Sequence, residues 1–235
     1  LGFVGTENHG LSGLEDHYNH QLAGIDGWRE LGSDGHGNTR IRGGFREQKP
    51  INGDDCFLTI DVDIQIIIEE ELREAVEKHK ADKAEAILVD PNTGEILALA
   101  NIPTFNPNSR AKITEASLIA HPIMSAFEPG STFKVVGATA LIEENKVHPM
   151  DVFDCEGGKY SIHGIDVKDW KSFDNLTFAE VLQNSSNIGI IKAVQVLDES
   201  KMFNTARKFG FSEKSGIQFP YESSGSLKNN KSWSE

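Results

Sequence analysis

A serine and a lysine three residues apart, Ser131 and Lys134, are the side chains of this sequence best suited to chemistry. They follow a Pro-Gly pair and open an apolar, Ala-rich stretch, a pattern that predicts a turn and then a helix. Residues three apart share a helix face, so the lysine amine can reach the serine hydroxyl. The first turn of a helix also favours developing negative charge. We therefore predict a serine nucleophile activated by a lysine base.

The same spacing occurs a second time, at Ser109 and Lys112, within a polar stretch that has no turn-then-helix context. Isolated short motifs carry a high risk of false positives, so we interpret this second pair as chance. The Glu128-Pro129-Gly130 segment before Ser131, together with the apolar helix after it, distinguishes the first pair.

A second polar cluster, Ser185-Ser186-Asn187, is the only Ser-x-Asn in the sequence and lies 54 residues after Ser131. Between two predicted helices it can present a hydroxyl and an amide to a cleft. Ser and Asn are also good helix N-caps, so an ordinary cap is the competing interpretation. The presence of Ser131 and Lys134 favours the functional interpretation.

Composition excludes several classes of protein. The net charge of −13 and the absence of a basic run argue against nucleic-acid binding. No apolar stretch approaches the ~20 residues that span a bilayer, and we expect no signal peptide within the sequence. A start without methionine suggests a chain that begins inside a longer protein. Cys56 and Cys155 form no metal-type cluster.

Three histidines near the N-terminus, His9, His17 and His20, include a His-x-x-His spacing that could place two imidazoles on one helix face. No further set of ligands completes a metal site. We therefore expect solvated histidines and no bound metal.

The periodicity of apolar residues predicts a mixture of helices and antiparallel strands. A helix is expected at 64–79, and strands at 84–89 and 95–100 flank a strong turn signal. A capping box at Thr177 and Glu180 predicts the start of a helix. Further elements are expected at 16–22 (helix), 57–60 (strand), 187–197 (helix) and 201–209 (helix). The fold class is α+β, a helical block beside an antiparallel sheet.

The motifs in this order resemble those of the penicillin-binding proteins and serine β-lactamases, which carry S-x-x-K, then S-x-N, then K-T-G. More narrowly, the chain resembles a class B penicillin-binding protein, because residues 1–24, 58–65 and 89–98 are similar to that class's linker, domain start and first hairpin. The Phe-Glu-Pro-Gly segment and Asn187 resemble the septal, cell-division subtype more than the elongation subtype.

The resemblance implies a penicillin-binding transpeptidase fold in two parts. Residues 1–55 would be a small Gly-rich β linker or pedestal of an N-terminal non-catalytic region, and residues 56–235 the N-terminal part of the transpeptidase domain. Lys214-Ser215-Gly216 fits the third motif literally, but it follows Asn187 by only 27 residues and resembles a loop of the family. We expect a decoy, with the true third motif beyond Glu235. This fragment alone is then expected to be a poor catalyst or none, because half of the oxyanion hole is missing.

The resemblance also implies roles for the site residues. Ser131 is the expected nucleophile and Lys134 the general base, while Ser185 relays a proton and Asn187 hydrogen-bonds the lysine and the substrate. The backbone N–H of Ser131 supplies part of the oxyanion hole. Burial and neighbouring donors, Ser185 and Asn187 among them, are expected to lower the lysine pKa from about 10.4 toward 7. No metal or organic cofactor is implied.

The implied activity is a serine D,D-transpeptidase that cross-links peptidoglycan stem peptides and is acylated by β-lactam antibiotics. A glycosyltransferase and other divisome membrane proteins are expected partners, and nucleic acid is not. The implied location is the bacterial cell membrane, with the domain facing the periplasm or the cell exterior and the anchor before Leu1. A class D-type β-lactamase, which also uses S-T-F-K, and a non-catalytic β-lactam sensor or scaffold remain as alternatives.

Overall fold

The computed structural model describes residues 1–33, 36, 39–40, 46–109 and 113–233. The chain divides into two compact units: the first comprises Leu1–Ser125 and Ile217–Glu222, the second Ala126–Gly216 and Ser223–Glu235. This division reflects only how closely the residues of each unit cluster in space. The boundary expected after residue 55, which separates a linker from a catalytic domain, stays a prediction.

The first unit consists of short antiparallel strand pairs, one long helix and one longer hairpin. The strands pair as β1 with β2, β3 with β6, β4 with β5, and β7 with β8. Its elements in chain order are β1 (Gly2–Val4), β2 (Gly10–Ser12), α1 (Gly13–His17), α2 (Asn19–Leu22), β3 (Trp28–Arg29), β4 (Gly32–Ser33), β5 (Thr39–Arg40), β6 (Glu47–Gln48), α3 (Val62–His79), β7 (Ala84–Val89), β8 (Ile96–Ile102), α4 (Glu115–Leu118) and α5 (His121–Met124).

Helix α3 and the β7–β8 hairpin confirm the strongest periodic predictions of the sequence. The Asp61 carboxylate caps α3 by accepting a hydrogen bond from the Ile64 backbone N–H at 3.0 Å. The Gln65 side chain then joins α3 to β8, because it donates to the Leu99 carbonyl at 3.0 Å and accepts from the Leu99 N–H at 2.9 Å. The helix and the hairpin are thus tied by paired side-chain and backbone hydrogen bonds.

One short prediction in this unit is wrong, and another is confirmed except at one residue. Residues 57–60 form no strand; they run beside β8 with only isolated bonds, from Thr59 Oγ1 to the Ile96 carbonyl at 2.6 Å and from the Asp61 N–H to the Leu97 carbonyl at 2.9 Å. The helix expected at 16–22 is interrupted at Tyr18, whose non-helical backbone separates α1 from α2.

The second unit is a block of four helices accompanied by two small antiparallel strand pairs. Strand β9 pairs with β12, and β10 pairs with β11 in register. Its elements are α6 (Lys134–Glu143), β9 (Val152–Asp154), β10 (Lys159–Ile162), β11 (Ile165–Lys168), β12 (Asn175–Thr177), α7 (Phe178–Gln183), α8 (Asn187–Val194) and α9 (Glu199–Lys208), with short 3-10 helices at Gly130–Phe133, Glu156–Gly158 and Asn230–Ser232.

An apolar core packs α6, α7 and α8 against one another. Leu141 of α6, Phe178 and Val181 of α7 and Ile190 of α8 are its larger buried members. Burying side chains of this size stabilises a fold by roughly 1.5–3 kcal/mol each. The core therefore fixes the N-terminal ends of α6 and α8, which carry the predicted site residues.

Helix α7 begins at the capping box that the sequence predicts. The Glu180 N–H donates to Thr177 Oγ1 at 3.3 Å, and the Glu180 carboxylate accepts from the Thr177 N–H at 2.8 Å. The bonds from Thr177 lower the pKa of the Glu180 carboxyl.

In the part of the chain that the structure describes, no helix combines the length and the apolar character needed to cross a membrane.

Candidate active site

Ser131 lies where the sequence predicts, in a tight turn that leads directly into an apolar helix. The turn is the 3-10 helix Gly130–Phe133, and α6 begins at the next residue, Lys134. Gly130 starts the turn at φ +58°, a left-handed conformation that glycine adopts at little steric cost. Ser131 is solvent-exposed, whereas the middle of α6 is buried, from Val136 to Leu141 with only Thr139 partly exposed. The serine is therefore presented at the surface on a rigid base.

The Lys134 amine makes hydrogen bonds to residues of the second unit that are distant from it in the sequence. Its Nζ donates to the Ser185 carbonyl at 2.6 Å, to Asn187 Oδ1 at 2.7 Å and to Ser185 Oγ at 3.0 Å. The structure thus brings together three of the four predicted site residues. Ser131 lies in the preceding turn, and no hydrogen bond joins its hydroxyl to Lys134 Nζ among the described residues.

Burial lowers the pKa of Lys134 below its ordinary value, and the negative charge of Asp169 acts in the opposite direction. The expected direction of the shift is therefore present, with desolvation as its main cause.

The expectation that neighbouring donors contribute to this shift is wrong for two of the three contacts. The Ser185 carbonyl and Asn187 Oδ1 can only accept, so they each hold one N–H of the amine. A hydroxyl both donates and accepts, so Ser185 Oγ alone can face either an N–H or the lone pair of the amine. The set of contacts accommodates both the ammonium and the neutral amine.

The two interpretations of the Ser-Ser-Asn loop, residues 184–187, apply to different members of it. Ser186 is the helix cap: it is fully buried, and its hydroxyl accepts from the Gly189 N–H at 2.9 Å at the start of α8. Ser185 and Asn187 on either side face Lys134 instead. Ser185 adopts φ +52°, which is uncommon for a residue other than glycine and is frequent at functional sites.

Asp169 lies directly after β11 and supports the loop, a role that no sequence motif indicates. Its Oδ2 accepts from Ser186 Oγ at 2.6 Å, and its Oδ1 accepts from the Asn187 N–H at 2.5 Å and from the Ile188 N–H at 3.2 Å. No spacing rule links an aspartate to a loop 15 or more residues away, so the only available signal was the preference of helix N-termini for carboxylates.

Cys155 is buried beneath the same loop, and burial raises the pKa of its thiol. The Ser186 hydroxyl lies 3.5 Å from Cys155 Sγ, but its one proton is directed to the closer Asp169 carboxylate. A buried, protonated thiol is a poor nucleophile, so we assign Cys155 a packing role.

The remaining candidates from the sequence lie elsewhere. Residues 214–216, the literal third motif, form no strand, in agreement with their interpretation as a decoy. His9 Nδ1 pairs with Asn19 Nδ2 at 2.8 Å, and the described residues contain no group of three potential metal ligands. Ser109 bonds through its backbone to Asn106, while Lys112 lies outside the described residues.

Comparison with known proteins gives one consistent family. Residues 84–235 match the model of the penicillin-binding protein transpeptidase domain. The chain is 34% identical over 97% of its length to stage V sporulation protein D of Bacillus subtilis, and 31% identical over 100% of its length to the peptidoglycan D,D-transpeptidase FtsI of Escherichia coli. It spans 36% and 39% of the lengths of those two relatives.

Solved structures give the same result for the fold. The crystal structure of penicillin-binding protein 3 from Mycobacterium tuberculosis, complexed with ampicillin, superposes with a TM-score of 0.82 at 31% identity. The match covers 99% of this chain and 48% of that structure's chain. The chain therefore has the α+β transpeptidase fold.

Proposed function

The chain belongs to the class B penicillin-binding proteins, and from this premise we propose that it supplies the nucleophile and the base of a serine D,D-transpeptidase that cross-links peptidoglycan stem peptides. The observation that carries the proposal is the set of three hydrogen bonds, of 2.6–3.0 Å, that Lys134 Nζ makes with Ser185 and Asn187 one turn after Ser131.

The proposed reaction begins with attack of Ser131 Oγ on the carbonyl carbon of the D-alanyl-D-alanine peptide bond. The hydroxyl proton passes to the neutral Lys134 amine, which acts as general base. The negative oxygen of the tetrahedral intermediate lies against the backbone N–H of Ser131, which is in a turn where such groups have no intrahelical acceptor. Ser185 Oγ, at 3.0 Å from Lys134 Nζ, is placed to relay the proton to the leaving nitrogen, and D-alanine departs.

The acyl-enzyme is then attacked by an amine of a neighbouring stem peptide. The new peptide bond forms as the Ser131 ester bond breaks, and the amine proton returns through Lys134 to the serine. A β-lactam follows the first half of this path, because its strained amide carbonyl is attacked by the same hydroxyl. The proposed ligands are therefore stem peptides and β-lactam antibiotics, as the ampicillin complex of the similar M. tuberculosis protein supports.

Two rival functions use the same residues. A class D-type β-lactamase would hydrolyse its acyl-enzyme rapidly, and a sensor or scaffold would form no cross-link. The similarity to proteins named peptidoglycan D,D-transpeptidases favours cross-linking. Rapid turnover of nitrocefin would support the β-lactamase, and permanent acylation without cross-linking would support the sensor.

A fluorescent penicillin tests the assignment of the nucleophile. The whole protein, expressed in its native bacterium, is labelled with the penicillin and denatured. It is then separated on a gel beside the variants Ser131→Ala and Ser109→Ala. Ser109 is the matched control, because it carries the second Ser-x-x-Lys spacing. We expect labelling of the wild type and of Ser109→Ala, and none of Ser131→Ala. Equal labelling of all three would refute the assignment.

A finer proposal concerns the cellular role. We infer a septal function at the bacterial cell envelope, with a glycosyltransferase and other division proteins as partners, which is supported by Asn187, by the Phe-Glu-Pro-Gly segment and by the similarity to FtsI. Depletion of the protein in its host tests this role. Filaments or failed septa are expected, whereas rounded cells that divide normally would indicate elongation instead.

A further inference from the structure

The β10–β11 hairpin carries two lysines directly opposite each other, Lys159 on β10 and Lys168 on β11. Directly opposite residues share one face of an antiparallel pair, and both of these side chains are exposed. The next pair, Tyr160 and Val167, is half-buried and faces the opposite way, with Lys192 Nζ of α8 lying 4.9 Å from the centre of the Tyr160 ring. The two opposite lysines therefore point away from α8 and into solvent.

This arrangement of charge is unfavourable while no ligand is bound. Like charges directly opposite each other on antiparallel strands destabilise the pair. Asp166 lies on the same face, but it is directly opposite Ser161, and within the described residues no ion pair reaches Lys159 or Lys168. The exposed Lys171 adds a third positive charge close by, because its carbonyl oxygen lies 2.9 Å from the position that a Cβ on residue 158 would occupy.

Other lysines of the second unit are neutralised by carboxylates at N–O distances of 2.7–3.4 Å. These ion pairs are Lys192–Glu156, Lys201–Glu144 and Lys208–Glu143. Glu156 is only three residues before Lys159, yet it pairs with the lysine of α8. The opposite pair on the hairpin thus keeps its positive charge in a chain whose net charge is −13. Two neighbouring ammonium groups without a carboxylate partner can bind an anionic group of a ligand.

The lysine pair lies beside the candidate active site. The Lys168 carbonyl accepts from Asn187 Nδ2 at 2.9 Å, and Oδ1 of the same amide accepts from Lys134 Nζ at 2.7 Å. One side-chain amide therefore separates the backbone of Lys168 from the proposed general base. Lysine has a flexible four-carbon stem, and an extended peptide advances about 3.3 Å per residue. The Lys168 ammonium can consequently reach a substrate group a few residues away from the bond that Ser131 attacks.

We propose that Lys159 and Lys168 form an anion subsite, which binds a carboxylate in the part of the stem peptide that becomes the acyl group. The inference rests on the proposed function and deepens it by naming a feature of the substrate. A bound carboxylate would relieve the repulsion between the two lysines, so it gains more than it would from an isolated surface lysine. The terminal carboxylate leaves with D-alanine, so only a carboxylate of the acyl part can stay bound through both half-reactions.

Two penicillins that differ by one carboxylate test the subsite. Benzylpenicillin and carbenicillin share the β-lactam core and its carboxylate, but carbenicillin has a second carboxylate on its acyl side chain, which corresponds to the acyl part of a stem peptide. The whole protein, expressed in its native bacterium, is compared with Lys159→Gln, Lys168→Gln and the double variant. The control is Lys146→Gln, which removes an exposed lysine after α6. Competition with a fluorescent penicillin gives the second-order rate constant of acylation for each compound.

The decisive quantity is the ratio of the rate constant for carbenicillin to that for benzylpenicillin. We expect each single variant to lower this ratio by about 2–5-fold, the range typical of one exposed ion pair, and the double variant to lower it further. Added salt should lower the ratio in the wild type, because it screens exposed charges, and should leave it unchanged in the double variant. Lys146→Gln should keep the wild-type ratio.

A purely structural role of the hairpin would change both rate constants together, leaving the ratio and its salt dependence as in the wild type. That result, or an equal fall of the ratio in Lys146→Gln, overturns the inference. So does an unchanged ratio combined with lost binding to phosphatidylglycerol vesicles, which would assign the lysines to a membrane surface. Wild-type protein that neither penicillin acylates would contradict the proposed function itself, a result distinct from acylation with an unchanged ratio.

Discussion

Lys134 must be both a hydrogen-bonded anchor and a proton acceptor, and its contacts allow both. The Ser185 carbonyl and Asn187 Oδ1 hold two N–H groups, so the third position of the nitrogen carries either a proton or a lone pair. Burial favours the lone pair, since it lowers the pKa of the amine. The same three contacts thus keep the nitrogen in place while its protonation state changes.

Replacement of Lys134 by arginine tests whether this nitrogen is the base. Guanidinium stays protonated at all accessible pH values, so acylation by a β-lactam should fall by about 10²–10⁴-fold. In the wild type the rate should rise with pH as the amine loses its proton, and the midpoint should lie below the ordinary lysine pKa because burial lowers it. Stopped-flow acylation across a pH series measures both. An acidic limb that survives in Lys134→Arg would point to a different base.

Asn187→Asp tests whether the contact between residue 187 and Lys134 influences the pKa of the lysine. The new carboxylate would lie where Oδ1 now contacts Lys134 Nζ at 2.7 Å, and its negative charge would stabilise the ammonium. The pKa of Lys134 should rise, so the acidic limb of acylation should move to higher pH. The exposed Asn175 on β12 provides the control Asn175→Asp, which should leave the limb in place. An unshifted limb in Asn187→Asp would show that this contact does not tune the base.

Among individual residues, the sequence predicted the side chains of the reaction better than the residue that holds them in position. Ser131 and Lys134 are identifiable because a helical turn relates their positions, and Ser185 and Asn187 because they form a compact motif. Asp169 has no such local relation to its partners. Its role depends on the β10–β11 hairpin bringing it back to the start of α8, which only the folded structure shows.

Among the elements, the contact between α7 and α8 determines where the Ser-Ser-Asn loop lies. The two helices approach closely at Gly189, where a Cβ would lie 2.5 Å from Val181 Cγ2. Real Cβ atoms essentially never come so near another heavy atom, so the glycine allows the close packing of the helices. The packing of α7 against α8 therefore determines the position of the Ser-Ser-Asn loop that connects them.

Gly189→Ala should therefore separate α7 from α8. We expect a loss of about 1–3 kcal/mol in the free energy of unfolding, typical of overpacked cores, together with slower acylation. The matched control is Gly137→Ala on α6, where the nearest atom to a Cβ is Val194 Cγ1 at 3.3 Å and the higher helix propensity of alanine offsets the crowding by up to about 1 kcal/mol. Urea denaturation measures both. Equal stability of the two variants would show that the contact at Gly189 does not constrain the helices.

The elements that the sequence predicted well are those with local determinants. The capping box of α7 and the amphipathic pattern of α3 are complete within their own segments, and both are confirmed. The strand expected at 57–60 failed because, although its pattern is apolar, its one bond to β8 comes from the Thr59 side chain and the next comes from Asp61, so no backbone ladder forms. The helix expected at 16–22 is present except at Tyr18, a break that periodicity does not register.

At the scale of the molecule, the site depends on a core that lies behind it. Leu141, Phe178, Val181 and Ile188 are almost completely excluded from solvent, and they belong to the three helices that carry or flank the site residues. Apolar packing in the interior of the second unit thus keeps the site residues at its surface in position.

Leu141→Ala tests that dependence. The residue is 0% exposed, so its truncation should cost about 2–5 kcal/mol of stability through lost burial and a residual cavity. Its neighbour Ile142 is 49% exposed, and Ile142→Ala should cost about 0.5 kcal/mol or less. Thermal denaturation followed by circular dichroism compares the two. Similar melting temperatures would contradict the assignment of Leu141 to the core.

Identification of the acylated residue tests the central claim most directly. The protein as its host expresses it is incubated with a penicillin, digested and mapped by mass spectrometry. We predict one adduct, with the mass of the opened β-lactam, on the peptide that contains Ser131, and no adduct in the Lys134→Arg variant over the same short exposure. An adduct on any other residue, or none on Ser131 after saturating exposure, would contradict the assignment of this serine as the nucleophile.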